Sequence, residues 1–406
     1  MIDVRAHLAR KPLLFDGGMG TYYKAKPGTE CEQGNLLDPA GVRKVHREYL
    51  AAGAEAIKTN TFGLPRMVAA RQPDWQALAR AGWKLAAEAA GETGAAVFAD
   101  LGPAPDTEAA PAGSIYTAVA RCFVEQGAKN FLFETLSSDA GVLEAVQAVK
   151  AQVPDAFVLV SFAVLPDGYT REGMYSKDLV RRMTESGIVD AVGFNCVSAP
   201  GAMRALMQQL GGSELPLSVM PNAGYPMVTR TQVKYQGKPE YFAKELARIA
   251  AEGVRILGGC CGTTPAHIAA LRAALDSLPA VEKAAPAVQV STPEAPTVEK
   301  DDAFLRKLNA GQKVIAIELD SPKNADLTGY LDGAKRLQAA GADLLTIADC
   351  PIARARMDSS LVACRVHREL GLCTLPHMTC RDRNLNATKA LLLGLYAEGV
   401  REVLAI

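Results

Sequence analysis

Three cysteines in this chain have the residue types and spacing to gather around one ion. The stretch Gly258-Gly259-Cys260-Cys261-Gly262-Thr263-Thr264-Pro265 follows an apolar run at 254–257. It precedes a helix start in which Thr264 is the N-cap and Pro265 the first helical residue, where a missing N–H costs nothing. The two thiols therefore sit at the C-terminal end of a strand. Cys196 occupies a matching place in Gly193-Phe194-Asn195-Cys196, since 191–194 reads as a short buried strand and Pro200 is placed to open the next helix. Both sites face helix N-termini, where amide donors and the helix dipole favour thiolate, the form of sulfur that binds metal.

Three thiolates can hold a zinc ion with one position left open, the pattern of a catalytic site; the absence of a CxxC pair argues against a zinc knuckle. Two plainer readings stand beside it. A free cysteine is often only a small buried hydrophobe, and a vicinal pair can act as a redox device without metal. Glycines framing Cys260-Cys261 tilt the balance to a ligand, because two adjacent thiols pack no better than two alanines and the glycines leave room for close approach.

Other polar residues fall at the ends of apolar runs. Leu13-Leu14-Phe15-Asp16-Gly17-Gly18-Met19-Gly20-Thr21 is a short strand entering a glycine-rich turn, without the spacing of a dinucleotide fingerprint and with no helix expected directly after it. Asn60 ends a second strand. Asp100, Glu134, Asn195 and Asn222 end later ones.

The elements that must position these side chains repeat in a regular way. Apolar strands are expected near 13–15, 54–58, 95–99, 130–133, 157–162, 191–194, 217–220 and 254–257, with helical stretches between most of them, including one opened by Asp38-Pro39. Eight strands alternating with helices over about 275 residues predict an α/β fold, a (β/α)8 TIM barrel, whose chemistry collects where the strands end. Cys196 after strand six and the pair after strand eight are then separated by one strand and can share an ion. Residues 279–302, with Pro279, Pro286, Pro293 and Pro296, predict a semi-rigid linker between domains 1–278 and 303–406. Beyond it, strands near 313–319, 343–347, 373–380 and 402–406 begin a second alternation, expected to be the first half of an incomplete TIM-barrel-like domain.

Composition sets outer limits. At 406 residues the chain is long enough for about two domains. Formal net charge is zero, so no global field draws it to nucleic acid or an anionic membrane. No long apolar run marks a membrane span, and Met1-Ile2-Asp3-Val4-Arg5 lacks a signal peptide's apolar core. Nine cysteines, an odd number spread through strand-like segments, fit a reducing compartment, and a cytoplasmic location is expected.

Taken in order, Asp16-Gly17-Gly18-Met19-Gly20-Thr21, Thr59-Asn60-Thr61-Phe62, Gly193-Phe194-Asn195-Cys196, Pro221-Asn222-Ala223-Gly224 and Gly258-Gly259-Cys260-Cys261-Gly262 resemble the homocysteine S-methyltransferase family. The resemblance covers nearly all of 1–278. It implies zinc held by Cys196, Cys260 and Cys261, with the homocysteine sulfur as incoming ligand, and methionine as product. By position it implies that Asp16, the turn Gly17-Gly18-Met19 and Glu134 hold the ammonium and backbone end of the amino acid, with Asn60, Asn195 and Asn222 also at the substrate. The donor stays open among betaine, S-methylmethionine, S-adenosylmethionine and methylfolate, as does a cobalamin route. The second segment is similar to methylenetetrahydrofolate reductase. Ile317-Glu318 with Ser321-Pro322-Lys323 resembles its first strand, where a glutamate protonates folate, and Pro376-His377-Met378-Thr379-Cys380 its flavin (FAD) side, which marks His377 and Thr379. The whole chain resembles the N-terminal part of bifunctional proteins joining the two activities, and by itself is expected to bind flavin poorly. A redox-responsive barrel, or a non-catalytic one that binds a thiol amino acid, is the alternative function.

Overall fold

The structure is a computed structural model that describes residues 2–26, 28–228, 233–235, 237–278, 303–351 and 354–406. The chain divides into two compact units. The predicted linker, 279–302, lies outside the described residues.

In the first unit, eight strands run parallel: β1 (Leu13–Leu14), β2 (Ala56–Lys58), β3 (Ala96–Leu101), β4 (Asn130–Leu136), β5 (Phe157–Phe162), β6 (Ala191–Asn195), β7 (Leu217–Met220) and β8 (Ile256–Leu257). Their order is β1-β8-β7-β6-β5-β4-β3-β2, and a parallel bridge from Phe15 to Ala56 joins the two ends of the run. A helix follows each strand: Pro39–Ala51, Trp75–Gly91, Ala112–Val124, Val142–Gln152, Ser176–Glu185, Pro200–Leu210, Pro239–Ala251 and Pro265–Asp276. The expected (β/α)8 barrel is the fold. Asp38 caps the first of these helices through Gly41 N at 3.1 Å, and Thr264 caps the last in a capping box with His267. One local expectation is corrected. Met19–Tyr22 forms a helical turn directly after the glycine-rich stretch, with Tyr22 and Tyr23 amides bonded back to Gly18 and Met19.

Side chains alternate between two cores because successive strand residues point to opposite faces. Leu13, Phe15, Ala56, Ala96, Phe98, Leu132, Phe157, Leu159, Ala191, Met220 and Ile256 pack together as the barrel interior, joined by Val4 and Leu8 from helix Val4–Leu8. Their neighbours Leu14, Ile57, Val97, Phe131, Val158, Val192, Val219 and Leu257 belong to the larger core shared with the helices. Phe98 is central, its ring 4.6 Å from Phe15 and 6.0 Å from Phe157. Truncating it to alanine is expected to cost about 3–5 kcal/mol. Continued past these apolar layers, the inward phase reaches Lys58, Asp100, Glu134, Asn195 and Cys260, so the strand pattern that fills the barrel also supplies its polar end.

The second unit is a parallel sheet of four strands, β9 (Ala316–Glu318), β10 (Leu344–Ile347), β11 (Cys373–Met378) and β12 (Leu404–Ala405), in chain order. Helices Thr328–Ala339, Ser359–Leu370 and Leu385–Ala397 connect them. Leu345, Ile347, Val362, Ala363, Val366 and Leu395 form its core.

Candidate active site

Cys196 stands just after β6, and Cys260 with Cys261 just after β8, with β7 between. Their three sulfurs lie within 4.8 Å of one another, and the Cys196 and Cys261 sulfurs are 3.8 Å apart. Tetrahedral zinc with bonds of about 2.3 Å requires sulfurs roughly 3.8 Å apart, so the trio fits that ion.

Backbone devices fix these positions. Cys196 and Val197 have φ of 59° and 43°, conformations that cost non-glycine residues roughly 1–3 kcal/mol each. They are held by Cys196 N donating to Met220 O at 3.1 Å and by Ser198 Oγ donating to Val164 O at 3.0 Å. At β8, Cys260 N donates to Pro221 O at 2.9 Å, and Cys260 O accepts from Thr263 Oγ1 at 2.6 Å. Gly18 packs on that same carbonyl, where an added Cβ would stand 2.6 Å from Cys260 O. The glycine-rich turn and the cysteine pair thus have to meet with no side chain between them.

The three thiols share their protons. Hydrogen bonds from Cys196 and then Cys260 draw Cys261 down to about 3, with Tyr235 contributing, while bonding to Cys260 and Cys261 together with burial holds Cys196 well up. The helix amides expected to do this are not the main cause. A cluster this tight stabilises one thiolate easily and needs a cation to stabilise three.

Asn195 links the sulfurs to the carboxylates. Its Oδ1 accepts from Thr135 N and Ser161 Oγ, both at 2.8 Å. Its Nδ2 faces Thr135 Oγ1 at 2.7 Å, Glu134 Oε2 at 3.3 Å and Cys260 Sγ at 3.9 Å. Thr135, like Cys196, holds a positive φ, of 61°.

Lys58 is buried among acids. Its Nζ lies 3.7 Å from Glu134 Oε2, 3.8 Å from Asp16 Oδ1 and 3.3 Å from Gly259 O. Burial opposes its charge, but Glu134 and Asp16 outweigh burial and raise its affinity for the proton. Burial pushes both carboxyls up to about 7, against the pull of Lys58.

A cavity of about 420 Å³ opens at this end of the barrel, lined by the three thiols, Lys58, Asp100, Glu134 and Thr135. Gly18, Met19 and Asn60 also line it; Gly17, Asp16, Asn195 and Asn222 are not among its lining residues. Asn60 is fixed by Nδ2 donating to Asn35 Oδ1 at 2.9 Å and to Cys31 O at 2.8 Å. Asn222 is buried, its N donating to Ser198 O at 3.1 Å. Gly17 abuts Thr263, where a Cβ would be 2.6 Å from Oγ1.

Sequence reasoning missed Lys58, Thr135 and the cavity-lining Cys31 as site residues and passed over Asp100 after noting its strand end. For Lys58 and Asp100 a signal existed, since each lies on the inward phase of its strand. In the second unit, Glu318 at the end of β9 is exposed, and His377 and Thr379 on and after β11 are half-buried. His377 O accepts from Ser359 Oγ at 2.7 Å, and Thr379 N donates to Asp349 Oδ2 at 3.1 Å.

Residues 13–275 match the homocysteine S-methyltransferase family model, across every strand of the barrel. The chain belongs to the homocysteine S-methyltransferase family. Residues 303–406 match the methylenetetrahydrofolate reductase model. Among curated relatives, a methionine synthase of Mycobacterium tuberculosis is 30% identical over 312 residues, which cover 70% of this chain and 26% of that protein. A homocysteine S-methyltransferase of Escherichia coli is 29% identical over 297 residues, covering 64% of this chain and 94% of that protein. The chain thus spans about a quarter of the mycobacterial relative and nearly all of the Escherichia coli homocysteine S-methyltransferase. The crystal structure of the Escherichia coli homocysteine methyltransferase MmuM in its metallated form superposes with a TM-score of 0.55 at 26% identity, over 66% of this chain and 99% of that one. No helix among the described residues is long and apolar enough to cross a membrane.

Proposed function

We propose that this chain transfers a methyl group to the thiol of homocysteine, forming methionine, with zinc held by Cys196, Cys260 and Cys261. The observation that carries the reading is the meeting of three sulfurs, from the ends of two non-adjacent strands, within 4.8 Å at the wall of a cavity that also bears carboxylates. The family match and the metallated relative support it. A zinc ion there would supply the charge that deprotonates an alkyl thiol whose own pKa is near 8.5, leaving a nucleophilic sulfur. The protein's residues do the rest. Asn195 holds Glu134 and Cys260 in one bonded group, and the carboxylates offer an acceptor for the amino acid's ammonium. The cavity positions sulfur and methyl for an in-line displacement, in which the new S–C bond forms as the donor keeps the electron pair of the bond that breaks. Asp16, Gly17, Gly18, Met19, Asn60 and Asn222 belong to the same reading as wall or support for the substrate.

For the second unit we propose a methylenetetrahydrofolate reductase module, in which Glu318 would protonate the folate and His377 and Thr379 would face an FAD cofactor. The soluble thiol chemistry and free cysteines suit a cytoplasmic enzyme.

Replacing Cys260 with alanine and measuring both bound zinc and methionine formation, with each methyl donor in turn, tests the proposal. Loss of both is expected. A variant that keeps full zinc and full rate would end the assignment, and metal-free protein whose rate responds only to thiol oxidants would favour the redox alternative.

A further inference from the structure

The two adjacent threonines after the cysteine pair have different partners. Thr264 opens the last helix and closes a capping box with His267, so Thr263 is not needed for that cap. Thr263 is fully buried. Its hydroxyl accepts from Gly18 N at 2.9 Å and donates to Cys260 O at 2.6 Å, beside the Thr263 amide, which donates to the same carbonyl at 3.1 Å. One oxygen therefore joins the glycine-rich turn after β1 to the cysteine pair after β8. Only a hydroxyl on a short side chain can accept and donate in this space, because an added Cβ would stand 2.6 Å from Thr263 Oγ1 at Gly17 and 2.5 Å from it at Gly259. Tyr49, buried in helix Pro39–Ala51, holds the residue's backbone, its hydroxyl donating to Thr263 O at 2.9 Å.

Two further bonds close the seam. Gly259 N donates to Asp16 O at 3.0 Å, and Gly262 N donates to Thr21 Oγ1 at 2.9 Å. Gly18, Met19, Gly20 and Thr21 line the cavity with Cys260 and Cys261, so wall and sulfurs are stitched together at three points. Gly17 is not among the lining residues, and the Thr263 hydroxyl accounts for its lack of a side chain. We infer that Thr263 is a positioning residue for the methyl transfer: its hydroxyl carries the placement of the glycine turn to Cys260, so that the metal and the cavity wall keep one fixed spacing. The inference rests on the zinc reading above, and it assigns Gly17 to the metal site, as the room made for that hydroxyl, and not to contact with substrate.

The test is metal binding by the full chain, followed for zinc by competition with a chromophoric chelator and for cobalt(II) by the absorption bands that report the geometry of its sulfur ligands. Thr263→Val keeps the shape and removes both hydroxyl bonds. It should weaken zinc binding by roughly 10- to 100-fold, as loss of an outer-shell partner does, and shift the cobalt bands. Thr263→Ser should return both to near the wild-type values. Gly17→Ala, which drives a methyl group at the hydroxyl, should reproduce the valine result, and it stands in for the valine variant should that one not fold. A folded valine variant with unchanged zinc affinity and unchanged cobalt bands, and only a lower unfolding midpoint, overturns the inference and leaves the zinc reading in place. So does a serine variant no better than valine, or a Gly17→Ala protein that loses homocysteine affinity while keeping its zinc. A wild type with no affinity for zinc removes the functional reading and this inference with it.

Discussion

In the barrel, Lys58, Asp16 and Glu134 are 5%, 1% and 5% exposed, and the lysine lies within ion-pair distance of both acids. In the second unit Glu318, at the end of β9, and Lys323, five residues beyond it, are open to solvent. Both units are built from parallel strands and helices, so the contrast comes from enclosure. Eight strands joined end to end surround their inward side chains on every side, and polar groups there must pair with one another, shift their proton affinities or wait for a ligand. In the four-stranded sheet the residues of β9 read exposed, half-buried, exposed. A charge there keeps its water and needs no partner. Perturbed ionisable groups in a cleft mark candidate chemistry, and by that measure the barrel end is the place to look.

The largest expected difference between the two regions lies in their cysteines. Cys261→Ala removes the thiol that is most easily ionised, and should abolish metal binding and methyl transfer together. Cys373→Ala on β11 should change neither, as measured by metal content and methionine formation on the same preparations. Equal loss in both variants would show that the thiols act as a general redox property of the chain and not as one site.

Lys58→Met gives the next largest effect. It leaves two buried acids without their cation, and breaking a buried ion pair costs about 3–5 kcal/mol, with the lower end expected because Asp16 and Glu134 can take up protons. Denaturant unfolding should show the loss growing as pH rises, since the acids must then ionise in the barrel. A loss under about 1 kcal/mol at pH 8 would mean that Lys58 contributes no more than a surface charge.

His46 sharpens the contrast with a group outside the site. It lies within helix Pro39–Ala51, fully buried, with neither ring nitrogen hydrogen-bonded, and burial lowers its pKa to about 4. A depressed value means that the unfolded chain binds the proton first. Its contribution is therefore complete above pH 6.5 and is lost as pH falls toward 4, by up to roughly 3 kcal/mol. Asp16 and Glu134, pushed up to about 7, act in the opposite direction over the same window, because their protonated forms suit the fold. The difference between wild type and His46→Leu isolates the histidine. That difference should shift in favour of the variant on acidification, and a flat difference from pH 7 to pH 4 would refute the account.

Much of this was legible in the sequence, for a physical reason. Barrel strands covered on both faces must be apolar runs, and those runs with their helix starts give eight repeats and the strand ends where Cys196, Cys260 and Cys261 lie. What the strand ends do not tell is which polar residue faces inward, and that needs the phase within each strand. Asp16 and Asp100 look alike as strand-end acids, yet Asp16 accepts the Lys58 amide and stands outside the cavity lining, whereas Asp100 is part of that lining. Lys58 itself, in Ala56-Ile57-Lys58, is two residues from an interior alanine, and counting by twos from that position would have placed it inside. Thr135 and its positive φ carry no such signal, since they result from the register shift between β4 and β5 at 133–136.

The smallest effect expected is the one that completes the comparison. Arg368 and Glu398 form an ion pair between two helices of the second unit, with side chains 60% and 42% exposed. The pairing raises the arginine's hold on its proton through its hydrogen bond to Glu398. Both groups keep most of their water, so the attraction is screened and the entropy of holding two long side chains in one arrangement offsets what remains. Arg368→Ala should leave the unfolding midpoint of the chain unmoved at any salt concentration, where Lys58→Met moves it at all of them. If the surface variant proved as damaging as the buried one, enclosure would not be what separates the two regions, and the case for reading function from the buried charges of the barrel would lose its physical basis.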